Sequence, residues 1–177
     1  MGQLFRRLIK QIESSKLLVI IISQIRDKIG VTFGKTTMRS GGRALDFYAS
    51  QIVWLAEIEK MKKTVDNIER VTGIRIRAKT EKNKIGLPFR ECDLPIIFMY
   101  GVDDISAGVD WLLKVRPPAD IVAALGLPPA RYRIELAAIR NEGGDRMRAF
   151  REKLDPLLKK VWDEIEQDFL PKSAKYA

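Results

Sequence analysis

The sequence predicts an α/β fold, and three patterns carry that prediction. Residues 17–22 are a continuous aliphatic run, the signature of a strand buried on both faces, as in a parallel sheet covered by helices. Leu4, Phe5, Leu8, Ile9 and Ile12 recur at helical spacing just before it. Further on, Ile74, Ile76 and Ala78 alternate with Arg75, Arg77 and Lys79, as expected of a strand with one buried and one solvated face.

In chain order, residues 2 to about 14 read as an amphipathic helix with Arg6, Arg7 and Lys10 toward solvent. The strand at 17–22 ends at Ser23-Gln24. In open α/β sheets ligands gather at the carboxyl ends of strands, so the long loop that follows, residues 25–42, is where function is expected. Residues 43–50 read as a short helix entered from Gly41-Gly42, with Leu45 and Tyr48 or Ala49 on its buried side. Three strands are expected next, at 51–61, 74–82 and 94–100, with turns at Asn83-Lys84 and Gly86 to Pro88. The character changes after residue 114. Pro117-Pro118 and Pro128-Pro129 mark turns, and residues 146–170 are helical with balanced charge. Residues 1–114 are therefore expected to form the core, and 115–177 a small, mostly helical appendage with one strand near 132–136.

At 177 residues the chain is one domain, or a domain with an appendage, and long enough for a substantial core. Its longest apolar run is too short to span a membrane, and no signal-peptide pattern opens it, so a cytoplasmic location without a membrane partner is expected. The single cysteine, Cys92, excludes an internal disulfide. With no histidine, neither a zinc site nor the usual general base is expected. The formal charge of +9 is unevenly spread: residues 1–40 hold eight basic and two acidic side chains, residues 101–177 thirteen of each. A basic excess around a glycine-rich loop points to a polyanion, the competing reading being a solvated basic face.

GVTFGKTT, residues 30–37, looks at first like a phosphate loop. That loop needs four residues between its glycines, so that backbone N–H groups curl around the β-phosphate, and it must run from a strand into a helix. Gly30 and Gly34 enclose three, and residues 36–42 are expected to continue as loop.

A more specific match is spread over several segments. Residues 23–31, then Phe33-Gly34, then residues 41–50 (GGRALDFYAS) resemble the second DNA-binding loop of the bacterial RecA recombinases and the helix after it. Lys82-Asn83-Lys84-Ile85 with Pro88-Phe89 resembles a further signature of that family. Order and spacing agree to about residue 113, apart from a few extra residues between the first two strands after the loop. The resemblance implies a partial RecA-like core, a mixed sheet with helices, followed by the helical appendage. It also implies a protein that polymerises on single-stranded DNA, binds ATP with Mg2+ between neighbouring subunits, and drives strand exchange with duplex DNA.

By resemblance, Arg6 aligns with an arginine that contacts the phosphate backbone, and Arg26, Gly41, Gly42 and Arg43 fall where the loop and the helix start hold phosphates. Ile29 matches an apolar residue that wedges between bases without reading them. Gln24 aligns with a glutamine that senses the terminal phosphate of ATP, and Lys82 and Lys84 with lysines that reach a neighbour's ATP, much as an arginine finger does. Arg77 and Lys79 fall near a second site for duplex DNA.

Each residue has a plainer reading. Arg6 and Arg43 can be solvated helix charges, Ile29 a core residue, Gln24 a strand-end cap, and Lys82 and Lys84 blunt an exposed strand edge. The sequence also departs from the family: Ser23 ends the aliphatic run, Asp46 stands where lysine is usual, and Ala56-Glu57 replace a basic pair. The family's phosphate loop, catalytic glutamate and polymerisation element lie upstream of the first DNA loop, outside these residues. The isolated chain is expected not to hydrolyse ATP and to need self-association or a complementary amino-terminal half. The alternatives are a stand-alone, non-enzymatic nucleic-acid-binding module or a nucleotide-binding enzyme with an irregular phosphate loop at 30–36.

Overall fold

The computed structural model describes residues 2–27, 37–39, 43–128 and 130–171. The elements run α1 (Gly2–Ser15), β1 (Ile25–Asp27), β2 (Thr37–Arg39), α2 (Arg43–Tyr48), β3 (Gln51–Val65), β4 (Ile68–Asn83), β5 (Glu91–Ile97), β6 (Gly101–Val102), α3 (Asp104–Val115), α4 (Pro118–Leu125), α5 (Tyr132–Glu142) and α6 (Gly144–Phe169). This is the expected α/β class. Among the described residues no helix is long and apolar enough to cross a membrane.

The sheet holding β3 to β6 has the order β3-β4-β5-β6. β3 and β4 are joined by the two-residue turn Asp66-Asn67, with φ of 49° and 62°. Positive φ at both positions is the type I′ geometry that folds a right-twisted hairpin back on itself, and aspartate and asparagine tolerate it. β5 pairs antiparallel with β6 through Ile96↔Val102 and Ile97↔Gly101. Gly73 lies where backbones approach closely, since a Cβ there would sit 2.4 Å from the Ile96 carbonyl oxygen. A smaller ribbon pairs β1 with β2 in antiparallel register, Arg26 opposite Met38.

Four expectations are corrected. Residues 17–22 form neither strand nor helix, and their side chains are exposed. A strand of that composition needs neighbours on both edges and cover on both faces, and no described strand pairs with it. Residues 132–136 are the first turns of α5, not a strand. Residues 37–39 form β2 instead of continuing as loop. The last expected strand ends at Ile97, because the next residues turn: Met99 has a φ of 64° and the Tyr100 N–H donates to the Ile97 carbonyl at 3.1 Å.

The chain divides into two compact units, residues 1–54 with 79–91 and residues 55–78 with 92–177. The second unit holds the main core. Ile105, Val109 and Leu112 repeat at helical spacing on α3 and pack with Ile121, Val122 and Leu125 of α4, Leu136 and Ile139 of α5, and Phe150, Leu154 and Val161 of α6. Trp111 and Trp162 meet at a ring separation of 5.6 Å. α4 opens with Pro118, whose fixed φ suits a first helical position, and closes on Gly126 at φ 67°.

A buried polar group organises the same unit. Asp103, 3% exposed, caps α3: its carboxylate accepts from the Ser106 N–H at 3.1 Å, the Ser106 hydroxyl at 2.8 Å and the Arg140 guanidinium at 2.7 Å. A buried carboxylate is tolerated only when its lone pairs are met in this way. Arg140 also lies over the Tyr100 ring, 5.8 Å from its centroid.

Candidate nucleic-acid interface

The residues singled out by sequence concentrate in the first unit. α1 forms because its apolar residues fall on one stripe; Phe5, Leu8, Ile9 and Ile12 are half-buried, while Arg6, Arg7 and Lys10 are exposed. The Phe5 ring stacks on Tyr48 at 5.6 Å, and Tyr48 meets Phe47 edge-on at 5.1 Å. Leu45 is buried on α2, as the apolar spacing of that helix demands. The aromatic contact ties the basic helix α1 to α2, whose start carries Arg43.

Arg26 sits on β1, exposed, in the ribbon that closes the base of the expected loop. Gln24 is exposed immediately before that ribbon. Ile29, Gly41 and Gly42 lie outside the described residues, as do most of GVTFGKTT and the side chain of Arg43. No carboxylate among the described residues pairs with Arg6, Arg7, Lys10 or Arg26, whereas Arg75, Arg77, Arg116, Arg140 and Arg151 each have one.

Lys82, near the end of β4, sends its ammonium to the final carbonyls of α2, 2.6 Å from the Asp46 oxygen and 3.1 Å from the Phe47 oxygen. A cation there satisfies carbonyls that have no partner within the helix and complements the helix dipole. Desolvation, and secondarily the neighbouring charge of Lys84, lowers Lys82 from the ordinary lysine value. Lys84 keeps its side chain exposed, while its backbone N–H donates to the Ser50 carbonyl at 2.9 Å. Between them Asn83 builds the turn: its side-chain oxygen accepts from Gln51 Nε2 at 3.1 Å and from the backbone N–H groups of Ile85 and Gly86 at 3.1 and 3.3 Å.

The basic stripe of β4 is more neutralised than its sequence suggests. Arg77, in the second unit, makes a two-pronged bond to Asp93 at 2.7 and 2.9 Å. That hydrogen-bonded guanidinium holds the Asp93 carboxyl below the usual carboxylate range, partly opposed by desolvation. Arg75 lies 3.5 Å from Glu59 and 3.8 Å from Asp110. Lys79 is exposed and belongs to the first unit. The contact of Lys82 with α2 and that of Arg77 with Asp93 join residues far apart in the chain, and the local motifs gave no sign of either.

Among the described residues no three His, Cys, Asp or Glu side chains converge to hold a metal ion.

Comparison with known proteins agrees with the pattern of the loop. The family model described as the RecA N-terminal domain matches residues 1–103. The RecA protein of Thermus thermophilus is 30% identical over 167 residues, covering 94% of this chain and 47% of the relative. That of Symbiobacterium thermophilum is 30% identical over 177 residues, 100% of this chain and 48% of the relative. That of a Nostoc strain is 40% identical over 110 residues, 62% of this chain and 30% of the relative. The chain spans about half the length of the first two relatives.

Proposed function

Because the chain belongs to the RecA family, we propose that it serves as the DNA-binding portion of a recombinase core. In this reading its first unit binds single-stranded DNA, and an intact or complemented protein carries out ATP-dependent homologous pairing and strand exchange with duplex DNA in recombination and repair. The observation that carries it is the set of exposed cations, Arg6, Arg7 and Lys10 of α1 and Arg26 of β1, in the unit that also holds the family's loop pattern and the start of α2.

Cations without carboxylate partners are free to form charge-assisted bonds to phosphate oxygens, and a guanidinium does so with two parallel donors. Phosphate contacts fix position without reading sequence, which suits a protein that must coat any strand. By resemblance to the family, Arg43, Gly41 and Gly42 hold phosphates and Ile29 separates bases. Gln24 links the loop to ATP held at a neighbouring site, and Lys84, exposed, adds positive charge toward a neighbour's nucleotide, with Lys82 holding α2 in place beside it. Arg77 and Lys79 fall near a second site, for the incoming duplex; for Arg77 this requires exchange of its Asp93 partner.

ATP and Mg2+ belong to the intact recombinase in this reading. GVTFGKTT fails the phosphate-loop spacing, and on that reading of the sequence the chain alone is expected to show no DNA-stimulated ATP hydrolysis. Its partners are DNA, further copies in a filament, or a complementary amino-terminal half, in the cytoplasm.

Anisotropy of a labelled single-stranded oligonucleotide, titrated at several salt concentrations, tests the DNA reading. Affinity is expected to fall steeply with salt. In the double variant Arg26→Ala, Arg43→Ala the log–log slope becomes shallower by about 1.4, since each phosphate contact to a single strand contributes about 0.7. A flat salt dependence in the parent chain, or an unchanged slope in the double variant, would overturn it.

A further inference from the structure

From Leu55 to Val71, the outer part of the β3–β4 hairpin, every residue but Met61 is exposed. A strand lying on a core buries alternate residues, so exposure at consecutive positions means that both faces of this ribbon stand in solvent. Whatever binds such an arm must have room for it on two sides.

The two-residue period of a strand sorts the side chains at its end. Val65 and Ile68 flank the turn Asp66-Asn67, so they stand opposite one another, 54% and 56% exposed. Lys63 and Arg70 follow two residues behind them on the same face, and from Met61 to Thr72 that face carries no carboxylate. The ion pairs of this region are Lys62 with Glu69 and Arg75 with Glu59, which leaves Lys63 and Arg70 without a carboxylate among the described residues. The acidic groups near the tip are placed elsewhere. Glu69 belongs to the opposite face, where it accepts from the Lys62 ammonium at 2.7 Å, and Asp66 lies in the turn.

An aliphatic pair at the tip with a cation behind each is the arrangement of a wedge with two phosphate grips. A duplex groove supplies the matching surface, since its phosphate walls flank a two-stranded ribbon on both sides and its floor offers base steps into which aliphatic side chains insert. A single strand has no such groove.

We propose that the β3–β4 hairpin is an arm for duplex DNA, which enters the minor groove with Lys63 and Arg70 on phosphates and parts a base step with Val65 and Ile68. The proposal rests on reading the chain as part of a recombinase that takes in a duplex. It uses residues separate from Arg77 and Lys79 and from the cations of α1 and β1. Parting a base step begins the strand separation that exchange requires.

The test titrates the full 177-residue chain against a labelled short duplex, the same duplex carrying 2-aminopurine, and a single-stranded oligonucleotide. The parent chain is expected to bind the duplex and to brighten 2-aminopurine by about two-fold or more as base steps unstack. Lys63→Ala with Arg70→Ala weakens duplex binding by about 10-fold or more and makes its log–log salt slope shallower by about 1.8, since each duplex phosphate contributes about 0.9. Single-strand affinity keeps its parent value in that variant. Val65→Ser with Ile68→Ser removes the brightening. Thermal melting of the α3–α6 core confirms that each variant folds. Duplex binding without brightening, brightening that survives Val65→Ser with Ile68→Ser, an unchanged duplex slope in the Lys63, Arg70 variant, or an equal loss on duplex and single strand would each overturn the proposal. Absent single-strand binding with the duplex results intact would support the arm and overturn the single-strand reading of Arg6 and Arg26.

Discussion

The two compact units differ in how far their own side chains complete them. In the second, α3 to α6 bury Val109 and Leu112 fully and satisfy the buried carboxylate of Asp103. In the first, the aliphatic run 17–22 is exposed, Phe47 is 72% exposed, and basic side chains stand without carboxylate partners among the described residues. A core that closes on itself can be stable alone. A unit with an uncovered aliphatic segment and unneutralised cations can draw part of its stability from what it binds, and such low-stability elements are where binding segments are commonly found.

The sharpest way to break this contrast is to truncate a residue in each unit. Leu112→Ala or Leu154→Ala is expected to destabilise the helical core by about 2–5 kcal/mol, the lost transfer energy plus a cavity, read from chemical denaturation of α3 to α6. Asp103→Ala comes next, at about 2–4 kcal/mol, because it removes a helix cap and leaves Arg140 without its carboxylate in a largely buried place.

Smaller effects sharpen the contrast. The Arg77–Asp93 pair is more exposed, so Asp93→Asn should cost under about 1 kcal/mol at neutral pH. The folded Asp93 carboxyl lies below its unfolded value. Its contribution is therefore present above the ordinary carboxylate range and is lost as pH falls through the folded value, so the variant and parent should converge in acid. The smallest change is expected for Ile20→Ala in the isolated chain, within about 0.5 kcal/mol, since that side chain is not buried. A loss of several kcal/mol at Ile20 would erase the distinction between the units.

Much of the fold was legible where a pattern is local and long enough. The stripe of α1 and the turn at Asn83 are settled by neighbours within a few residues, and the structure contains them as read. The strand expected at 132–136 shows the cost of a short window. Tyr132, Ile134 and Leu136 alternate, but Ile134 is 69% exposed, and it is the longer spacing of Tyr132, Leu136 and Ile139 against the core that is helical. Residues 17–22 show a different limit, because a composition suited to a buried strand does not supply the neighbours that make it one. At the site, the Lys82 and Arg77 contacts stayed hidden because they join residues 36 and 16 apart.

Amide hydrogen exchange along the whole chain, with and without a single-stranded oligonucleotide, tests the account most directly. It predicts protection on DNA binding at residues 25–27 and 43–48, with exchange across α3 to α6 unchanged. Protection confined to α3 to α6, or none anywhere at saturating oligonucleotide, would contradict the assignment of DNA binding to the first unit.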